Sequence, residues 1–189
     1  MTQNAPKSPT STADTGADQP GGWFERLPSR HRDTFRPKAR IVRVWAGVSP
    51  DLQTVLDRLL AGTAPWPLYL WGPIGTGKTR AALCACDRVD GGRYWTVSGV
   101  MDQMQDRCAP WYRLNDPALA VLDELGAHRA RDFEFDAVKE FLDWREDQPA
   151  IYISNHPPAK MREAYDDRIE SRLQSGTVFE LAGRDRRRM

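Results

Sequence analysis

No apolar run in this sequence approaches the ~18–20 residues that a membrane-spanning helix needs. Nor does a positively charged stretch lead into an apolar segment at the amino end, so a secretory signal is not expected. A disulfide framework is excluded by shortage. The three cysteines, Cys84, Cys86 and Cys108, are odd in number and match neither a zinc-ligand spacing nor C-x-x-C. Cys84 and Cys86 read as small packing residues of a helix, and a reducing, cytoplasmic setting follows. Net charge is nearly absent as well: 27 Lys and Arg against 26 Asp and Glu leave +1. Bulk charge therefore selects neither for nor against nucleic acid. Internal repeats are missing.

What is present is unevenly distributed. Residues 1–22 are rich in Pro, Ser, Thr, Asp and Gly and have almost nothing to bury, which predicts a disordered tail. Residues 23–48 form a basic connector. Between Arg26 and Arg43 it carries seven Lys/Arg against one acid, Asp33. From Asp132 to Asp147 the balance reverses, and the tail Arg184-Asp185-Arg186-Arg187-Arg188 is basic again. Residues 49–189 read as one folded core. Ser49 is a good N-cap with Pro50 in the first helical position, and Leu52, Val55, Leu56, Leu59 and Leu60 follow at helical spacing until Gly62. Strands are expected at Leu68–Trp71, Tyr94–Val97, Leu119–Leu122, Ala150–Ser154 and Thr177–Leu181. Ser98 is expected to cap a helix with Val100, Met101 and Met104. A further helix runs from about Phe133 to Arg145, and a short one carries Ile169 and Leu173. Strands alternating with helices predict an α/β fold with a parallel sheet covered on both faces.

The most specific signal is Gly72-Pro73-Ile74-Gly75-Thr76-Gly77-Lys78-Thr79, a G-x-x-x-x-G-K-T phosphate-binding loop. The apolar strand Leu68–Trp71 precedes it and a helical stretch follows, which is the context the motif needs. Glycines without Cβ let backbone N–H groups close around phosphate oxygens, and the following helix points its positive end at the same anion. Lys78 is placed to reach the β- and γ-phosphates, and the Thr79 hydroxyl to ligate Mg²⁺.

The third strand delivers Asp123 and Glu124 at its carboxyl end, where open α/β sheets place their ligands. This reads as a Walker B motif. Asp123 holds Mg²⁺, usually through water, and Glu124 polarises an attacking water. At the end of the fourth strand, Asn155 either contacts the γ-phosphate or positions water, or is a turn former before His156-Pro157-Pro158. Arg168 and Arg172 lie four apart on a short helix and so share a face. A guanidinium on a subunit surface can reach a neighbour's γ-phosphate, and the alternative is a solvated face of Arg–Asp/Glu pairs.

With these residues in order, the chain resembles the AAA+ ATPases of the DnaC-type helicase-loader and IstB-type transposition-helper group from about Leu27 to Arg188. The resemblance implies a P-loop NTPase with a five-stranded parallel sheet of order 5-1-4-3-2, little or no lid domain, and ATP sites at subunit boundaries. It makes Asn155 the sensor-1 residue, Arg172 the arginine finger with Arg168 in reserve, and Arg187 a sensor-2 equivalent. Leu27 to Phe35 is similar to the segment that packs near adenine. Loaders of this group carry a folded N-terminal domain, which the stretch before Trp23 does not resemble.

The implied cofactors are ATP and Mg²⁺. The implied partners are single-stranded DNA, a replicative helicase or a transposase, and further copies of the chain. Candidate DNA contacts are the basic connector (Arg30, Arg32, Arg36, Lys38, Arg40), the helix after Ser98, His128-Arg129-Ala130-Arg131, and the pair Trp111-Tyr112. A small P-loop kinase is the competing enzyme class, but no Arg-bearing lid is visible in the sequence. A non-catalytic, ATP-gated adaptor is the third reading.

Overall fold

The computed structural model describes residues 45–105, 117–127 and 132–183. Five parallel strands form one sheet: β1 (Leu68–Trp71), β2 (Gly92–Thr96), β3 (Leu119–Leu125), β4 (Ala150–Ser154) and β5 (Thr177–Glu180), in the order β2-β3-β4-β1-β5. This is the expected order read from the opposite edge. Among the described residues six α-helices connect and cover the strands: α1 (Pro50–Leu60), α2 (Lys78–Arg88), α3 (Val97–Gln105), α4 (Asp132–Trp144), α5 (Pro158–Ala164) and α6 (Asp167–Leu173). None of them is long and apolar enough to cross a membrane. Every residue of β4 is buried, as are Leu119–Asp123 of β3, so both faces of the central sheet are covered. Strand alternation shows which helix lies where. Trp95 of β2 packs edge-on against Phe141 and Trp144 of α4, while its neighbours Tyr94 and Thr96 point to the other face.

Local signals explain most of the element ends. Ser49 Oγ accepts the Leu52 N–H at 3.4 Å, Pro50 opens α1, and Leu52, Leu56 and Leu59 are buried. Gly62 follows the helix with φ +70°, a conformation glycine adopts freely. Cys84 and Cys86 are buried in α2, as their context predicted.

Three readings need correction. Ser98 is not a cap. It is the second residue of α3, and Thr96, the last residue of β2, accepts the Gly99 N–H on its Oγ1 at 3.0 Å. Strand and helix are joined with no loop between them, so the cap falls two residues earlier than the polarity pattern suggested. β3 runs on to Leu125 across an irregularity between Leu122 and Leu125. Finally, Pro157-Pro158 starts a helix rather than only ending a strand. Pro157 is the extended N-cap of α5 and Pro158 its first residue, where a missing N–H costs nothing.

The disordered-tail assignment, the basic connector before Trp45, Cys108, Trp111-Tyr112, His128–Arg131 and Arg187 lie outside the described residues. Phe141 is fully buried and also meets Trp144 at 5.3 Å and Tyr152 at 6.4 Å between ring centroids. Phe141→Ala is expected to lower stability by about 3–5 kcal/mol in urea denaturation. Ile74→Ala, at a side chain 61% exposed, is expected to stay within about 0.5 kcal/mol of the parent. Equal midpoints for the two variants would contradict this packing.

Candidate nucleotide-binding site

The carboxyl ends of β1, β3 and β4 converge, because β4 lies between the other two and Ser154 pairs with both Trp71 and Leu125. The chain leaves β1 toward one side of the sheet and later returns past it to β5, so the P-loop occupies a point where the strand order switches direction. Gly72 has φ +145°, and a Cβ there would lie 2.4 Å from the Leu181 carbonyl oxygen. Only glycine allows the loop to start so close to the chain leaving β5.

The loop is braced from within. Thr76 Oγ1 donates to the Pro73 carbonyl at 3.0 Å, and Lys78 Nζ donates to the carbonyls of Gly72 at 2.6 Å and Pro73 at 2.7 Å. Lys78 is 6% exposed, so its ammonium is held beneath the loop. α2 then begins after Gly77 with no side-chain cap, whereas α1 is capped by Ser49 and α6 by Asp166. Its first turn also contains no acid. The positive end of this helix is thus left for an outside anion.

Asp123 is the best-held acid of the site. It is 4% exposed. Its Oδ2 accepts hydrogen bonds from Thr79 Oγ1 and from the Tyr94 hydroxyl, both at 2.7 Å, and its Oδ1 accepts the Glu124 N–H at 2.7 Å. Burial first, and then the Asp123 charge, push the Tyr94 hydroxyl far above its ordinary pKa. Tyr94 therefore remains a protonated donor at any physiological pH.

Glu124 behaves oppositely. Its backbone takes φ +72°, which is uncommon for a residue with a side chain. The chain turns there, so Glu124 is exposed while Asp123 stays inside. Strain of this kind is typically ~1–3 kcal/mol and gathers at functional positions.

Asn155 is exposed and emerges between the P-loop and the end of β3. Its neighbours are fixed. Ser154 Oγ donates to Leu125 O at 2.8 Å and accepts the His156 N–H at 3.1 Å, and the Tyr69 hydroxyl donates to His156 O at 2.9 Å. Just past β3, the Gly126 N–H donates to the Tyr165 hydroxyl at 3.0 Å, which donates to Glu134 Oε1 at 2.9 Å. Gly126 has φ +65°, and a Cβ on it would sit 2.6 Å from Met161 Cε.

Arg168 and Arg172 share a face as expected. They line a cavity of about 690 Å³ together with Phe135, Lys139 and Asp167, and none of its lining residues comes from the P-loop or from Asp123-Glu124. Arg168 is exposed, and Arg172 forms an ion pair with Asp143 of α4. Tyr94, Tyr165, Glu134 and Ser154 were not singled out from the sequence. Tyr94 was visible as a strand residue, but its partner depends on strand register.

The donor set suits a magnesium–nucleotide complex. A hydroxyl and a carboxylate, both hard oxygen ligands, meet at the mouth of a loop whose close backbone approach excludes side chains. The strand order, the glycine-rich loop after β1 and the acidic exit of β3 define the class: a parallel α/β fold with a phosphate-loop signature at its switch point.

Solved structures agree on the fold. DnaI superposes with a TM-score of 0.62 at 18% identity, covering 77% of this chain and 93% of DnaI. The DnaC helicase loader gives 0.60 at 12%, covering 82% of this chain and 100% of that one. AMPPCP-bound DnaA from Aquifex aeolicus gives 0.61 at 17%, covering 72% and 47%. The chain spans about half the length of the DnaA structures it matches. No protein-family model and no curated protein matches the sequence.

Tyr165→Phe removes both hydrogen bonds at the exit of β3 and leaves the buried Gly126 N–H without its acceptor. A loss of about 1–3 kcal/mol is expected in chemical denaturation, and an unchanged midpoint would show that the contact is not formed in solution.

Proposed function

We propose that the protein is a Mg²⁺-dependent ATPase that acts in DNA replication, loading or remodelling a replicative helicase on single-stranded DNA. The observation that carries the nucleotide part is the 2.7 Å contact between Thr79 and Asp123. It brings the start of the P-loop helix and the end of β3 together where open α/β sheets bind ligands.

In this reading the backbone of Gly72–Gly77 and the start of α2 bind the phosphates. Lys78 leaves its two carbonyl partners for the β- and γ-phosphates. Thr79 and Asp123 hold the ion. Mg²⁺, when bound, neutralises charge that develops on the phosphoryl oxygens. Glu124, turned outward by its backbone, accepts a proton from the attacking water, and Asn155 orients that water or the γ-phosphate. An exposed carboxylate at this position supports water attack over transfer to a bound acceptor, which is the reason to prefer an ATPase to a small kinase.

Arg168 and Arg172 line a cavity apart from the P-loop, which supports a role toward a neighbouring subunit. Arg172 must exchange Asp143 for the neighbour's phosphate to act in this way. The replication part rests on likeness. The fold is shared with DnaI and the DnaC helicase loader, and a DnaA structure of the same fold carries AMPPCP and single-stranded DNA. A transposition helper uses the same site and differs in its partner.

Steady-state ATP hydrolysis is expected to rise with single-stranded DNA and to rise faster than linearly with protein concentration. Turnover indifferent to both would remove assembly and DNA from the proposal. Glu124→Gln is expected to keep ATP binding and to lose about 10²–10⁴-fold in turnover. Hydrolysis at the parent rate in that variant would exclude Glu124 as the base.

A further inference from the structure

The contact between Tyr94 and Asp123 has no counterpart in the motifs read from the sequence. We infer that Tyr94 is a positioning residue that decides how the site takes its metal. With Thr79 it occupies both acceptor positions of Asp123 Oδ2, so this oxygen cannot ligate a divalent ion directly. The inference rests on the proposal that the site binds a magnesium–nucleotide complex.

A carboxylate oxygen has two in-plane lone pairs. Oδ2 uses one for Thr79 Oγ1 and one for the Tyr94 hydroxyl, each at 2.7 Å. Oδ1 accepts the Glu124 N–H. Bidentate ligation, which needs both oxygens to reach the ion, is thereby blocked. Thr79 spends its proton on Asp123, which leaves its oxygen lone pairs to face an ion. Tyr94 is 2% exposed, and its strand is tied to β3 by the pairs Tyr94 with Val121 and Thr96 with Asp123. The phenol is therefore fixed by packing before any ligand arrives.

This arrangement favours one kind of ion. Mg²⁺ is small, demands octahedral geometry and keeps several of its waters, whereas Ca²⁺ accepts bidentate carboxylates and irregular shells. A carboxylate barred from bidentate ligation denies Ca²⁺ its preferred ligand and leaves Mg²⁺, which takes single oxygens and water, little affected. Tyr94→Phe frees one position on Oδ2 while retaining the ring that fills the space. It is expected to narrow the preference for Mg²⁺ over Ca²⁺.

The test is equilibrium binding of a fluorescent ATP analogue to the full chain, wild type and Tyr94→Phe, in Mg²⁺, in Ca²⁺ and in EDTA. The ratio of affinities in Mg²⁺ and Ca²⁺ is expected to fall by about tenfold in the variant, with affinity in EDTA unchanged. An unaltered ratio overturns the inference. So does a parallel fall in all three conditions, which is what a purely structural role gives. Wild-type protein that binds the analogue in none of the three overturns the proposed function and the inference with it.

Because the variant can fail to fold, pulsed EPR of Mn²⁺ and nucleotide on the wild-type protein supplies a second measurement. Asp123 is expected to supply at most one oxygen, beside water, Thr79 and phosphate. Ligation by both oxygens of the Asp123 carboxylate overturns the assignment of Oδ2 to the two hydroxyls.

Discussion

A buried carboxylate is the constraint around which this fold is arranged. Moving a charged group such as Asp123 out of water is costly unless its oxygens are satisfied. Three donors at 2.7 Å satisfy them, and each comes from a different place: Thr79 from the first turn of α2, Tyr94 from β2, and the Glu124 N–H from the strand end itself. The same contacts lock the P-loop helix to the middle of the sheet. Asp123 sits at the end of a strand buried on both faces, so its position follows from hydrophobic packing. Its orientation follows from hydrogen bonding.

The second layer of the site is built from backbone groups pinned by side chains. Ser154 ties β4 to the Leu125 carbonyl, and Tyr69 in β1 holds the His156 carbonyl. Asn155 lies between these two anchors, which set its place relative to the P-loop. The Asp123–Glu124 pair shows how one irregularity divides the labour of two adjacent acids. The positive φ at Glu124 sends one acid to solvent and keeps the other inside. A regular strand also puts neighbours on opposite faces, but within β3 both of those faces are covered. The turn is what brings Glu124 to the mouth of the site.

These two layers were legible in the sequence to different degrees. The P-loop and the acids at the end of β3 could be read because each is a local pattern: glycines at fixed spacing, or an apolar run ending in charge. The strand alternation and the first helix were legible for the same reason, since Ser49, Pro50 and Gly62 are signals that act within a few residues. Contacts across the sheet were not legible. Tyr94 meets Asp123 from 29 positions away and Tyr165 meets Gly126 from 39 positions away, and only strand register brings such pairs together. The bulge at Glu124 was hidden because nothing in Leu-Asp-Glu-Leu-Gly distinguishes a residue that will take positive φ. Thr96 was missed as a cap because a β-branched residue at a strand end reads as part of the strand. The prolines at 157 and 158 read as a turn after a strand, yet proline in the first helical position is a favoured way to open a helix.

The path from the acids to α6 follows from the same geometry. The Gly126 N–H, two residues beyond Glu124, is held by the Tyr165 hydroxyl, and Tyr165 closes α5 immediately before Asp166 caps α6. α6 carries Arg168 and Arg172, and Arg172 is paired with Asp143 on α4, the helix that also supplies Glu134 to Tyr165. Thus α4, α6 and the turn after Glu124 share one small set of polar contacts, with Tyr165 at its centre. Any displacement of the Glu124 turn must either break the Gly126–Tyr165 hydrogen bond or carry Tyr165 with it. The second course moves the cap of α6 and so the two arginines. Arg172 and its partner Asp143 therefore belong to elements held by the same run of contacts that begins at the acid pair of β3.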